Sequence, residues 1–205
     1  MTELYDGITQ EDWLVELEKT RIPLRKHLYA LWAYAGTPGT MLDVGCGNGD
    51  LVMRSRQIGI QAFGVDQIDL SGQGHYQDGV YFTHDLRTPF NLTTVEPQIS
   101  TVDMVICWEL AEHIPDYAHG ILCDTCANHL HRSDMKHRLI FTSAHPGQGG
   151  TEHISSRPAI YWRDMFHKRG LNYLKQESME LALMWSIIDS PLYWLSANVQ
   201  VFERG

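Results

Sequence analysis

Hydrophobic and polar positions along the chain follow two periods. Between positions 10 and 34 apolar residues recur at helical spacing, and Trp13, Leu14, Leu17, Ile22, Leu24, Leu28 and Leu31 make one stripe interrupted at Pro23. That segment predicts a helix covering an apolar surface. Beyond it, short apolar runs predict strands at 40–44, 61–65, 80–83, 102–107, 137–143, 171–176 and 197–203, with helical stretches between them. Strands alternating with helices form right-handed crossovers and a parallel sheet. A helix start is expected at Ser155-Ser156-Arg157-Pro158, followed by a buried face of Tyr161, Trp162, Met165 and Phe166.

The first strand breaks into Asp43-Val44-Gly45-Cys46-Gly47-Asn48-Gly49. Three alternate glycines leave one bend without Cβ atoms, so backbone N–H groups can lie against a ligand. The Gly-x-Gly-x-Gly spacing differs from the Gly-x-Gly-x-x-Gly of nicotinamide-binding folds. Asp43 places a carboxylate beside the bend, which suits an ammonium group better than a pyrophosphate. The second strand ends at Asp66, 17 residues after Gly49, where a carboxylate can accept bonds from both hydroxyls of a ribose. The third ends in Asp85-Leu86, and the fourth in Trp108-Glu109.

After the fourth strand comes Glu109-x-x-Glu112-His113, whose i, i+3, i+4 spacing would bring two carboxylates and an imidazole together on one helical turn. Such a mixture of oxygen and nitrogen donors suits Mg²⁺, Mn²⁺ or a related divalent ion. After the fifth strand, the run 145–150 holds three glycines and a proline, which exclude helix and strand and predict a mobile loop. His153 follows it, and His145 is the rival for a fourth ligand. Without a metal, Glu112-His113 can instead act in acid–base chemistry or bond to the backbone. Cys123-x-x-Cys126-x-x-His129-x-His131 has zinc-like spacing but falls within a predicted helix, where structural zinc sites are seldom built.

Taken together, these four strand ends resemble those of the class I S-adenosylmethionine-dependent methyltransferases, over residues 30–205. The resemblance implies an α/β, Rossmann-like seven-stranded sheet with helices on both faces. The sheet would be mostly parallel, its antiparallel last strand inserted beside the fifth. It implies a single domain over 1–205, with 1–36 as a helical cover and 37–205 as the cofactor-binding and catalytic core. S-adenosyl-L-methionine is the implied cofactor. Its contacts would be Asp43, Gly45, Cys46, Gly47, Gly49, Asp66, Gln67, Asp85, Leu86, Trp108 and Glu109, with Asp85-Leu86 at the adenine.

The Glu-x-x-Glu-His segment is also similar to that of small-RNA 3′-terminal 2′-O-methyltransferases and ubiquinone-pathway O-methyltransferases, in which it binds a metal. The metal set implied here is Glu109, Glu112, His113 and His153. In the metal-free version His113 or His153 is the catalytic base. The chain lacks the extra basic segments of the RNA enzymes.

A formal charge of −9 argues against a broad phosphate-binding surface, so the expected acceptor is a small molecule or sugar-like compound with a hydroxyl or an amine. The alternatives are a metal-dependent RNA-end methyltransferase and an inactive cofactor-binding partner subunit. The longest apolar run, 181–188, is too short to span a bilayer. Four scattered cysteines do not resemble a disulfide framework, and the start carries no signal-peptide pattern, so the expected location is the cytoplasm.

Overall fold

The computed structural model describes residues 3–5, 8–74, 76–132 and 137–205. A two-stranded ribbon, Glu3–Tyr5 with Ile8–Thr9, precedes helix α1 (Gln10–Ala35). The ribbon was not expected from the sequence. Then follow β1 (Thr40–Val44), α2 (Asp50–Gln57), β2 (Gln61–Asp66), β3 (Tyr81–Thr83) and β4 (Met104–Trp108). The chain continues through α3 (His119–His129), β5 (Arg138–Thr142), α4 (Ala159–His167), β6 (Leu171–Tyr173), α5 (Lys175–Ser186), α6 (Trp194–Asn198) and β7 (Gln200–Arg204).

The seven strands form one sheet in the order β3-β2-β1-β4-β5-β7-β6. Neighbours from β3 to β5 pair in parallel, and β7 runs antiparallel to both β5 and β6. This is the expected Rossmann-like sheet, mostly parallel with an antiparallel last strand beside the fifth. Parallel strands with crossover helices are covered on both faces, so β4 and β5 are buried throughout. One face packs α3 and α4 through Leu122, Cys126, Trp162 and Phe166. The other packs α1, α2, α5 and α6 through Leu28, Leu51, Leu181 and Leu195.

Helix α1 runs through Pro23 without a break, because its apolar face stays anchored on the sheet while one backbone bond is lost. Ile22 departs from the expected stripe: it is exposed on the outer side of the helix. The Arg25 guanidinium grips both oxygens of Asp50, pinning α1 to the start of α2. The N-terminal half of α1 is held by Gln10, whose side chain exchanges two hydrogen bonds of 3.0 Å with the backbone of Asp69. The cover helix is therefore fastened over the C-terminal ends of β1 and β2.

Candidate active site

In an open α/β sheet, ligands sit beyond the carboxyl ends of the strands, where the strand order reverses. Here that place is a cavity of ≈ 360 Å³ between the ends of β1, β2 and β4, the cover helix and the loop after β5.

On the β1 side, Gly45, Gly47 and Gly49 all take positive φ (83°, 53° and 74°), and Gly45 and Cys46 both donate to the carbonyl of Val65. The bend folds back so that the Gly47 N–H donates to Asp66 Oδ2 at 2.8 Å, while Ile68 N–H donates to Oδ1 at 3.0 Å. A carboxylate offers about four lone-pair sites, so each oxygen of Asp66 keeps acceptor capacity. Burial raises the Asp66 pKa, and those backbone donors oppose the rise. Asp43 is also buried, and burial with the nearby Asp66 charge pushes it well above the usual carboxylate range. A cationic ligand would relieve both. Gly47 is also needed for space, since a Cβ there would lie 3.0 Å from Leu17 of the cover helix.

On the β4 side the expected single helical turn does not form. β4 ends at Trp108, Glu109 takes φ 50°, and a short 3-10 turn carries Ala111–His113. The left-handed residue turns Glu109 away from Glu112 and His113. Its carboxylate instead accepts from Asn198 Nδ2 at 3.2 Å and Gln148 Nε2 at 3.4 Å. Asn198 Nδ2 also donates to Gln148 Oε1 at 3.0 Å, closing a three-residue ring.

Glu112, His113 and His153 do converge, with one donor atom of each within 4.8 Å of the other two. Glu109, the fourth expected ligand, stands outside that group. His113 Nδ1 donates to the carbonyl of Glu152 at 2.9 Å, and His153 Nδ1 donates to that of Gln148 at 3.3 Å. A carbonyl only accepts, so both neutral rings carry the proton on Nδ1 and a lone pair on Nε2. Glu112 is fully buried; among the described residues no hydrogen bond of good geometry reaches its oxygens, though the Glu112 and Ala144 N–H groups and the Ser143 hydroxyl lie close enough to oppose the rise in its pKa, and His153 Nε2 lies 3.9 Å from Oε1. Burial, reinforced by the Glu109 charge, pushes Glu112 up to about 8, while burial pulls His113 down to about 4.

Backbone geometry is bent to hold this cluster. Glu109 and Glu152 are the only non-glycine residues with positive φ among the described residues, at 50° and 57°, the first shortly before Glu112-His113 and the second just before His153. Such residues persist where surrounding structure over-determines them, and they gather at functional sites. Ser155 closes the connection, its N–H bonded to the Glu112 carbonyl at 3.0 Å and its hydroxyl to Asp116. Gly150 makes room for His153, because a Cβ there would fall 2.2 Å from the imidazole.

Of the cofactor positions expected from the sequence, Asp43, Gly45, Gly47, Asp66, Trp108 and Glu109 line the cavity. Cys46, Gly49, Gln67, Asp85 and Leu86 stand outside its lining. Cys46 is buried beneath the bend, Gly49 caps α2, Leu86 is in the core, and Asp85 is paired with Arg87 at 2.8 Å. His113 and His153 both line the cavity, whereas His145 is exposed and bonds to the Pro146 carbonyl. Residues not expected at the site are Gln148 and Thr151 of the loop, and Trp13, Glu16 and Thr20 of α1. In the sequence Trp13 is one member of an apolar stripe, with nothing to mark it as a cavity residue. Cys123, Cys126 and His129 form no metal-binding group among the described residues, and His129 Nε2 accepts from the Leu92 N–H.

The sheet order, the glycine bend and the acid at the end of β2 define the architecture of a class I methyltransferase. The chain belongs to the methyltransferase-domain family, whose pattern it matches over residues 17–176. Among solved structures it is similar to magnesium protoporphyrin IX methyltransferase from Synechocystis with bound SAM, at 17% identity and TM-score 0.56, covering 98% of this chain and 85% of that one. It is similar to an O-methyltransferase of a trans-AT PKS multienzyme of Brevibacillus brevis in complex with S-adenosyl-L-homocysteine, at 16% identity, TM-score 0.57, and 95% and 77% coverage. A Burkholderia thailandensis O-methyltransferase family protein superposes with TM-score 0.62 at 11% identity, covering 94% of this chain and 58% of that one. No curated protein matches by sequence. Among the described residues no helix is long and apolar enough to cross a membrane.

Proposed function

We propose that the protein transfers the methyl group of S-adenosyl-L-methionine to a hydroxyl of a small-molecule acceptor, which Glu112, His113 and His153 activate. The observation that carries this reading is the convergence of those three groups: His113 and His153 line a cavity that the glycine bend also lines, and the buried Glu112 stands behind them. The cofactor-bound relatives support S-adenosyl-L-methionine at that bend. Asp66 accepts the ribose hydroxyls, and Asp43 balances the positive charge of the cofactor.

Methyl transfer at a sulfonium is an in-line displacement, so alignment and removal of the acceptor's proton are the protein's tasks. A hydroxyl is a poor nucleophile until it is deprotonated. His153 Nε2 takes that proton, with Glu112 behind it; His113, held neutral down to about pH 4, is the weaker base. The acidic lining favours a hydroxyl over an amine, since carboxylates keep an amine protonated and without its lone pair.

A second reading is favoured by the same convergence. Two imidazole nitrogens and a buried carboxylate with free acceptor capacity form a donor set for a divalent ion, Mg²⁺ or Mn²⁺ among them. Glu112, His113 and His153 would hold it, and its charge would lower the pKa of the acceptor hydroxyl.

Transfer of labelled methyl to hydroxyl acceptors tests both readings. Activity that survives chelation selects the imidazole base, and activity restored only by Mg²⁺ or Mn²⁺ selects the ion. Methylation confined to amines, carbon or RNA ends would overturn the hydroxyl assignment.

A further inference from the structure

The residues that line the cavity besides the glycine bend say what kind of acceptor fits. Resting on the methyltransferase reading, we propose that the acceptor is an uncharged, polyhydroxylated ring of the glycoside class. Its apolar face would lie against Trp13 and Trp194, and a second hydroxyl would be held by Glu109 and Gln148.

Three features of the lining carry this. First, among the described residues no Lys or Arg lines the cavity, while Glu16 and Glu109 do. A phosphate or carboxylate on the acceptor would be desolvated there with no positive partner and with carboxylates close by. Sugar phosphates, uronates and nucleic-acid ends are therefore disfavoured.

Second, Glu109 and Gln148 are fixed before any ligand arrives. Asn198 donates to both, and Glu109 and Gln148 both line the cavity. The Asn198 and Gln148 amides and the Thr142 side chain take about three of the carboxylate's roughly four lone-pair sites, which leaves about one for a hydroxyl donor. Asn198 is a positioning residue, since it does not line the cavity itself. A flat aromatic acceptor with one hydroxyl would bury this polar wall without partners, an expensive arrangement.

Third, two indoles line the same cavity. Trp13 from the cover helix stands edge-on to His113 at 5.2 Å between centroids, next to the activating cluster. Trp194 opens α6, four residues before Asn198. Indoles and a carboxylate–amide pair in one cavity match a saturated ring that has C–H groups on one face and hydroxyls around its rim.

The test uses the full-length protein loaded with S-adenosyl-L-homocysteine, whose binding is measured first by calorimetry. Saturation-transfer NMR then compares methyl glucoside, galactoside and mannoside with glucose 6-phosphate and glucuronate. At least one neutral pyranoside is expected to bind about tenfold or more tightly than the two anions. Glu109→Gln should weaken that pyranoside by about tenfold, the effect of losing a hydrogen bond to a charged group. Trp194→Ala, at a partly buried position, should weaken it as well and should keep cofactor binding, and both variants are measured at saturating S-adenosyl-L-homocysteine.

Binding of the anions as tight as that of the pyranosides, or no pyranoside signal, would overturn the proposal. So would unchanged pyranoside binding in Glu109→Gln, or unchanged binding in Trp194→Ala. Failure of the wild-type protein to bind S-adenosyl-L-homocysteine would instead overturn the methyltransferase reading beneath it.

Discussion

The two walls of the cavity meet the same backbone demand with different residues. At the cofactor wall the chain needs left-handed turns, and glycine supplies them at positions 45, 47 and 49. At the activating wall the chain again needs left-handed residues, and it places glutamates there, Glu109 and Glu152. A non-glycine residue in that region costs about 1–2 kcal/mol. The carboxylates differ in the same way. Asp66 is met by two backbone N–H groups in good geometry, whereas the donors nearest Glu112, the Ala144 N–H and the Ser143 hydroxyl among them, meet it only loosely. One wall is a relaxed cradle. The other is held in a conformation the chain alone would not adopt, which is what a site poised to move protons or hold a cation requires.

The largest expected break between the walls is kinetic. His153→Ala should lower turnover by about 10²–10⁴-fold, the usual contribution of a positioned base. Affinity for S-adenosyl-L-homocysteine should barely change, because His153 belongs to the opposite wall. Steady-state rates with calorimetry on the same variant check this, and full activity would remove His153 from the mechanism.

A smaller effect lies in stability against pH, measured on chelated protein. Glu112 binds its proton up to about pH 8 in the folded state, against an ordinary value of 4.5, so its contribution to stability falls as pH rises through that window. His113 is lowered from 6.5 to about 4, so its contribution rises with pH between those values. The two oppose each other up to about pH 6.5, which leaves a net loss of about 2 kcal/mol between pH 6.5 and 8 at roughly 1.36 kcal/mol per pH unit. Glu112→Gln should flatten that slope in denaturant melts. An unchanged slope would mean that Glu112 is not the buried acid described here.

The smallest effect concerns backbone strain. Glu152 contributes its carbonyl to His113, and asparagine tolerates the left-handed region better than glutamate. Glu152→Asn should therefore stabilise the fold by about 0.5–1 kcal/mol and leave cofactor binding intact. The mirror change, Gly47→Ala, should destabilise by about 1–2 kcal/mol and weaken cofactor binding, since its Cβ also presses on Leu17.

The two walls also differ in how far they could be read from the sequence. All seven sheet strands were legible as apolar runs, and the glycine bend and Asp66 as local spacing, because a parallel strand and the turn after it are built from neighbours in sequence. Boundaries slipped where tertiary packing outweighed the local pattern. Residues 197–203 alternate like a strand, yet helix α6 runs to Asn198 and the strand starts at Gln200. Tyr173 ends β6 early because α5 begins at Lys175.

At the activating wall, Glu112, His113 and His153 stood out by residue type. The separation of Glu109 from them depends on one φ angle and on partners 39 and 89 residues away. No local period encodes such contacts. Nor does any mark Asn198, whose role exists only through the two side chains it joins.

The account rests on the cavity being a cofactor site, and calorimetric titration with S-adenosyl-L-homocysteine tests that most directly. The wild-type protein should bind it saturably. Asp66→Ala should weaken binding by about 10- to 100-fold, corresponding to roughly 1.5–3 kcal/mol for lost hydrogen bonds to a charged group. No measurable binding by the wild type, or equal affinity in the folded Asp66→Ala variant, would contradict the assignment.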